Sequence, residues 1–303
     1  MSLQVLFATI REVCAGPILT IFAFMLTPKK QRKIVSPFLL ILCGFFIFIN
    51  QFGFIVGEKL ASAAIGSAWQ PTQPIMTAAA GMAMGTESIT GWKVSGMVLA
   101  AAGASFMVLF HGSGFSGGSG GILAGNIMFF MNCAGTAGYV ITSRKLMRDD
   151  KKKERKGMPS LVVVAYSYMA ASIMMAITGI TSNLIGKDEF LKFICGTEDD
   201  GDGPACTAWG VPTNAIGPLL YWILIQSVLC YFLMTWGNKW SGEGSNAVVY
   251  TALQPLTSGL VSFVLVALND GNDFHGVRRF CSARTSLSLS LIHSLTYLHI
   301  NIK

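Results

Sequence analysis

Arg11 and Glu12 stand side by side inside an otherwise apolar run, Leu3 to Leu26. An arginine at the centre of a membrane helix costs about 2.5–3.5 kcal/mol on insertion scales, so it is retained where it meets a cavity or a partner. A guanidinium in that position can hold a polar or anionic group, and a carboxylate beside it is the best candidate in the chain for carrying a proton. Adjacent helix positions point about 100° apart, which predicts that the two charges do not simply neutralise one another. The competing expectation is that Arg11 snorkels along a tilted helix to the surface.

A second polar stretch, Trp69-Gln70-Pro71-Thr72-Gln73-Pro74, interrupts another apolar run, and Tyr250, Thr251, Gln254 and Pro255 form a similar one near the end of the apolar part of the chain. Each proline removes a backbone donor and frees a carbonyl, which inside a bilayer must be satisfied by protein or by water in a cavity. Pro71, Pro74 and Pro255 are therefore expected to kink their helices, and Trp69, Gln70, Gln73, Tyr250 and Gln254 to line a substrate pathway. Asn50 and Gln51 join them as pathway candidates. Asn132, Tyr139, Tyr166 and Gln226 fit better as polar ties between helices.

Other chemistry is poorly served. No His or Cys grouping has the spacing of metal ligands, and no cofactor is implied. A membrane enzyme would need a nucleophile or an acid/base set within the apolar runs, yet His111, His275, His293 and His299 fall at their ends or in the last stretch. Cys14, Cys43, Cys133 and Cys230 lie in apolar runs as small side chains. Cys195 and Cys206 share an acidic loop and are spaced to allow a disulfide in an oxidising compartment.

The elements that must position these residues follow from composition. Of 303 residues, 52% are hydrophobic and 12% charged, about half the ~25% charge of a soluble domain. The apolar residues are gathered into charge-free runs long enough for helices of about 20 residues, and such runs mean helices rather than barrel strands. The Val94 to Ser143 run splits in two at the Gly/Ser-rich turn beginning at His111. Eight spans result, near 4–26, 35–56, 61–84, 93–110, 121–143, 159–184, 215–236 and 245–268. The expected class is an all-α polytopic membrane protein in the plasma membrane or an endomembrane.

Loop charge orients the spans. Lys29, Lys30, Arg32 and Lys33 follow the first span, and a run from Arg144 to Lys156 follows the fifth. Both follow odd-numbered spans, and the positive-inside rule makes loops 27–33 and 144–158 cytoplasmic. The acidic loop after the sixth span, with Asp188 to Asp202, is then exterior. The net charge of +7 thus reports topology, not a nucleic-acid partner.

Gly57-Glu58-Lys59 followed by Gln73-Pro74 has a counterpart in Gly237-Asn238-Lys239 followed by Gln254-Pro255. By parity the two copies run in opposite directions across the membrane, the mark of an inverted-repeat helical bundle with its site between the repeats. On these residues, with Ile10-Arg11, Asn50-Gln51, Glu87 and the Gly91 to Gly96 segment, the chain resembles the EamA-type transporters of the drug/metabolite transporter superfamily.

That resemblance implies ten helices in two five-helix repeats. The eight spans would be helices two to nine, with 1–111 as the first repeat and 121–268 as the second. It implies a secondary transporter of a small organic metabolite rather than an enzyme, with the bilayer and a small-molecule substrate as partners and a homodimer allowed. The alternatives are a nucleotide-sugar or phosphate-ester exchanger, which would want more fixed cations, and a non-transporting scaffold. Residues 269–303 alternate polar and apolar positions and depart from the repeat; they read as a gene-model artefact, with a degenerate tenth helix as the other reading.

Overall fold

A computed structural model describes residues 3–61, 63–88, 119–149, 156–185, 216–248 and 250–251, with 90–91, 94–96, 98–99 and 102. The described residues form helices joined by turns and loops, with no strand among them. The helices are α1 (Leu3–Leu26), α2 (Pro37–Leu60), α3 (Ala63–Trp69), α4 (Thr72–Ala83), α5 (Ser119–Met147), α6 (Ser160–Ile185) and α7 (Ile216–Trp240). Four of them are long and apolar enough to cross a membrane, over Thr9–Leu26, Pro37–Leu60, Ser160–Thr181 and Ile216–Trp240.

Helix ends follow local chemistry. Ser36 caps α2 by accepting from the Leu39 N–H, and Pro37 takes a first-turn position where no donor is needed. The expected single span over 61–84 is two helices, because Pro71 cannot donate to the Ser67 carbonyl. The Gln70 N–H bonds that carbonyl instead, at 3.2 Å. Pro74 therefore corrects the expectation of a second kink. It lies in the first turn of α4, where a missing donor costs nothing, and the break is at Gln70-Pro71 alone. The Gln70 carbonyl is taken by the Gln73 N–H at 3.1 Å, with the Thr251 hydroxyl, which also reaches the Val248 carbonyl at 2.8 Å, 3.2 Å away.

In α7, residues Trp222–Leu229 wind as a π-helix between α-helical segments Ile216–Tyr221 and Cys230–Trp240. Such insertions widen the helix and often mark functional positions.

α2 runs antiparallel to α5. A Cβ on Gly125 would meet Ala61, one on Gly53 would meet Met128 and Asn132, and one on Gly135 would meet Phe46 and Asn50. α1 and α6 pair the same way, with Gly16 against Ser172 and Gly179 near Thr9. The loop 27–36, the α5–α6 turn and the ends of α4 and α7 consequently share one end of the bundle, called here the basic end.

The outward faces are apolar. Phe22, Met25, Phe38, Ile41, Ile173, Ile177 and Ile180 are exposed, the last three one helical turn apart on one face. Polar residues such as Arg11, Glu12, Gln73, Asn132, Thr235 and Asn238 are buried. That inversion of a soluble protein's pattern is what a lipid solvent requires. α5 is the least apolar long helix because α2, α4 and α7 enclose it, so its Gly, Asn and Thr face protein.

Candidate functional site

The pathway candidates of α1 and α2 meet at the middle of the bundle. Arg11 Nε and Nη2 lie 2.8 and 2.6 Å from Glu12 Oε1, and Nη2 also donates to Gln51 Oε1 at 2.7 Å. The expectation that neighbouring positions keep the two charges apart is therefore wrong. Both side chains are long enough to fold back across the 100° step, and burial leaves each with no better counter-charge. Nor does Arg11 snorkel: its side chain is 8% exposed and that of Glu12 2%. Trp222, at the start of the π-helical segment, lays its ring against the Arg11 guanidinium, 5.1 Å from its centroid.

From Gln51 the network continues inward. Gln51 Nε2 donates to the Tyr231 hydroxyl at 2.6 Å, and that hydroxyl donates to Asn50 Oδ1 at 3.0 Å. Asn50 Nδ2 reaches Thr136 Oγ1 at 2.6 Å and the Asn132 carbonyl at 3.1 Å, while Asn132 Nδ2 returns to the Asn50 carbonyl at 2.8 Å. Gln73 Nε2 donates to Asn132 Oδ1 at 3.3 Å and to Gln70 Oε1 at 2.6 Å. One polar chain thus runs from α1 through α2, α7 and α5 to the α3–α4 break.

The remaining candidates divide. Trp69 stands aside, donating from Nε1 to Asn126 Oδ1 at 2.8 Å with its ring edge-on to Phe130. Tyr250 turns its hydroxyl to Met234 Sδ at 3.8 Å rather than into the chain of bonds. Gln254, Pro255, Cys195 and Cys206 lie outside the described residues, as do most of the span near 93–110 and residues 252–303. Tyr166, expected as a tie, borders a shallow recess beside Thr20, Phe24 and Arg32 instead.

Sequence reasoning missed Tyr231, Tyr168 and Trp222. Tyr168 and Tyr231 stack edge to face at 5.0 Å next to the Arg11–Glu12 pair. Tyrosines within apolar runs were the available signal, but a tyrosine in a span is as readily a packing residue; only the helix pairing selects these two.

A second cluster closes the basic end. Glu87 accepts from the Ser245 N–H and hydroxyl, both at 2.7 Å. Ser88 donates from its N–H and hydroxyl to Glu243 Oε1 at 3.2 and 2.6 Å. Arg144 donates to the Ser241 carbonyl at 2.7 Å and to the Gly242 carbonyl, attracted by Glu87 and Glu243 and repelled by Arg148. Asn238 binds the Val140 carbonyl at 2.8 Å and Ser143 Oγ at 3.1 Å. The ends of α4, α5 and α7 are thereby tied to one another.

No group of three or more potential metal ligands occurs among the described residues. The family model of the EamA-like transporters matches residues 4–109 of the chain. Residues 4–109 are EamA-like. The chain is a polytopic helical membrane protein, and the EamA-like segment contributes Arg11, Glu12, Asn50, Gln51, Gln70 and Gln73 to the network. No solved structure matches the chain.

Because Asn132 donates to the Asn50 carbonyl and accepts from Gln73, its loss removes two buried hydrogen bonds between helices. Asn132→Ala should lower stability by about 1–3 kcal/mol. A thermal unfolding midpoint equal to wild type in the same detergent would contradict that.

Proposed function

We propose that the chain is a secondary transporter that moves a small organic metabolite across a membrane by alternating access. What supports this is the buried chain of hydrogen bonds from Arg11 to Gln73, which crosses from the EamA-like segment into α5 and α7. Polar groups in that position cost insertion energy, and a transporter recovers it by using them to replace a substrate's water. The tied ends of α4, α5 and α7 fit a state closed at the basic end.

In this reading 1–111 and 121–268 are inverted repeats, and the basic end, with loops 27–33 and 144–158, faces the cytoplasm. A nucleotide-sugar or phosphate-ester exchanger is less favoured, since Arg11 is the one cation within the network among the described residues.

Reconstitution of the full chain into liposomes with a panel of labelled small metabolites tests the proposal. Uptake of at least one solute is expected, and Gln51→Ala should cut it about tenfold, because among the described residues Gln51 alone links Arg11 to Tyr231 by hydrogen bonds. Folded protein that takes up nothing from the panel would favour the scaffold reading.

A further inference from the structure

The Arg11–Glu12 pair is more than a neutralised ion pair. Glu12 presents only Oε1 to Arg11; its Oε2 is buried with no hydrogen-bond partner. The Tyr168 hydroxyl, also buried and just outside hydrogen-bond geometry, interacts with the Glu12 carboxylate as a near donor. Arg11 spends Nε and Nη2 on Glu12 and Gln51, so Nη1 makes no hydrogen bond among the described residues. A carboxylate oxygen buried without a full hydrogen bond is a costly arrangement at this depth. It makes sense where the two partners must separate.

We infer that Arg11 is the anchor for a carboxylate-bearing substrate with an apolar or aromatic body, and that Glu12 occupies the anchor until it takes up a proton. The inference rests on the transport reading above and names its substrate class. An arriving carboxylate accepts from the Nη1 donors and then replaces Oε1 on Nε and Nη2. Glu12, released from Arg11, would be an isolated buried anion, so it leaves as the neutral acid with a proton from water on Oε2. One anion and one proton enter together and the charge of the site is unchanged.

The surroundings suit that cargo. Trp222 on the face of the guanidinium, with the Tyr168–Tyr231 pair beside it, offers a ring or alkyl body an apolar wall. The π-helical segment that carries Trp222 can rewind to α-helix, which moves that wall. The ionisable groups facing the pair are Tyr168 from α6, Tyr231 from α7 and, acting on Arg11 from α2, Glu58.

Benzoate serves as the probe, with benzamide as its uncharged counterpart, on the purified full chain in detergent. Benzoate should raise the unfolding temperature and benzamide should not. Apparent affinity should weaken about tenfold per pH unit once Glu12 is ionised, since binding takes up one proton. Uptake of about one proton per bound benzoate, read with a pH dye in weak buffer, is the matching signal on unaltered protein. Glu12→Gln should bind benzoate more tightly and without pH dependence, and Arg11→Gln should lose binding.

Equal stabilisation by benzamide, binding that ignores pH in the wild type, or retention in Arg11→Gln would overturn the inference. So would the absence of benzoate binding to folded Glu12→Gln. Liposome uptake of a neutral solute that survives Arg11→Gln would keep the transport reading and overturn this one. Proton-linked benzoate binding without any uptake would support the site and overturn transport.

Discussion

Gly135→Val is expected to strip away a large part of the fold's stability. A Cβ at position 135 would stand 2.7 Å from the Phe46 carbonyl and 2.8 Å from the Asn50 N, and one at Gly53 would stand 2.7 Å from the Met128 carbonyl. These neighbours are backbone atoms of a facing helix, so no side chain can swing aside. α2 and α5 touch backbone to backbone, the packing that small residues permit where no hydrophobic effect drives helices together in lipid.

Forcing the helices apart also breaks the reciprocal bonds between Asn50 and Asn132, which need that spacing. Overpacking of about 1–3 kcal/mol and two lost hydrogen bonds of about 1 kcal/mol each total some 3–5 kcal/mol, against a typical total stability of about 5–15 kcal/mol. The unfolding temperature should fall, and size-exclusion chromatography of the tagged chain should show a reduced wild-type peak with added aggregate. Gly217→Ala is the control, because a Cβ there meets nothing within 4 Å, and it should behave as wild type. A monodisperse Gly135→Val protein with an unchanged unfolding temperature would show that α2 and α5 do not approach as described.

The same contact explains what was legible in the sequence. Long apolar runs specify helices wherever they occur, so α1, α2, α5, α6 and α7 could be read to within a few residues. Loop charges put 27–33 and 144–158 on one side of the membrane; the described parts of both loops lie at one end of the bundle. The split of the third run was half legible: two prolines announced irregular backbone, but which one breaks the helix depends on where α4 starts. Arg11, Glu12, Asn50, Gln51 and Gln73 stood out because lipid makes polar residues expensive. Their partners did not, because Tyr168, Tyr231 and Trp222 are aromatic residues that a membrane helix accepts for several reasons. Only the approach of α6 and α7 to α1 gives these three a role.

Nothing in the spacing of Glu87 to Ser245 revealed the closure of the basic end, 158 positions apart in sequence. That closure supplies the other large effect. If transport proceeds by alternating access, the ties at the basic end set how often the site opens there. Glu87→Ala removes a carboxylate that accepts two hydrogen bonds at 2.7 Å and attracts Arg144. The Ser245 N–H is left unpaired and buried while the end is closed, and reaches water once the end opens.

Losing even one charge-assisted bond is worth about 1.5–3 kcal/mol, a factor of about 10–150 in a two-state equilibrium. Thr235 reports on it: its side chain is buried between the network and the basic end, bonded to Tyr139 at 2.6 Å. In a Thr235→Cys background, labelling by an impermeant maleimide from the side bearing the basic loops should quicken by about tenfold or more when Glu87→Ala is added. Glu87→Gln, which keeps one acceptor but no charge, should fall between the two. Unchanged labelling in folded Glu87→Ala protein would mean that Glu87 and Ser245 tie a loop and do not gate a pathway.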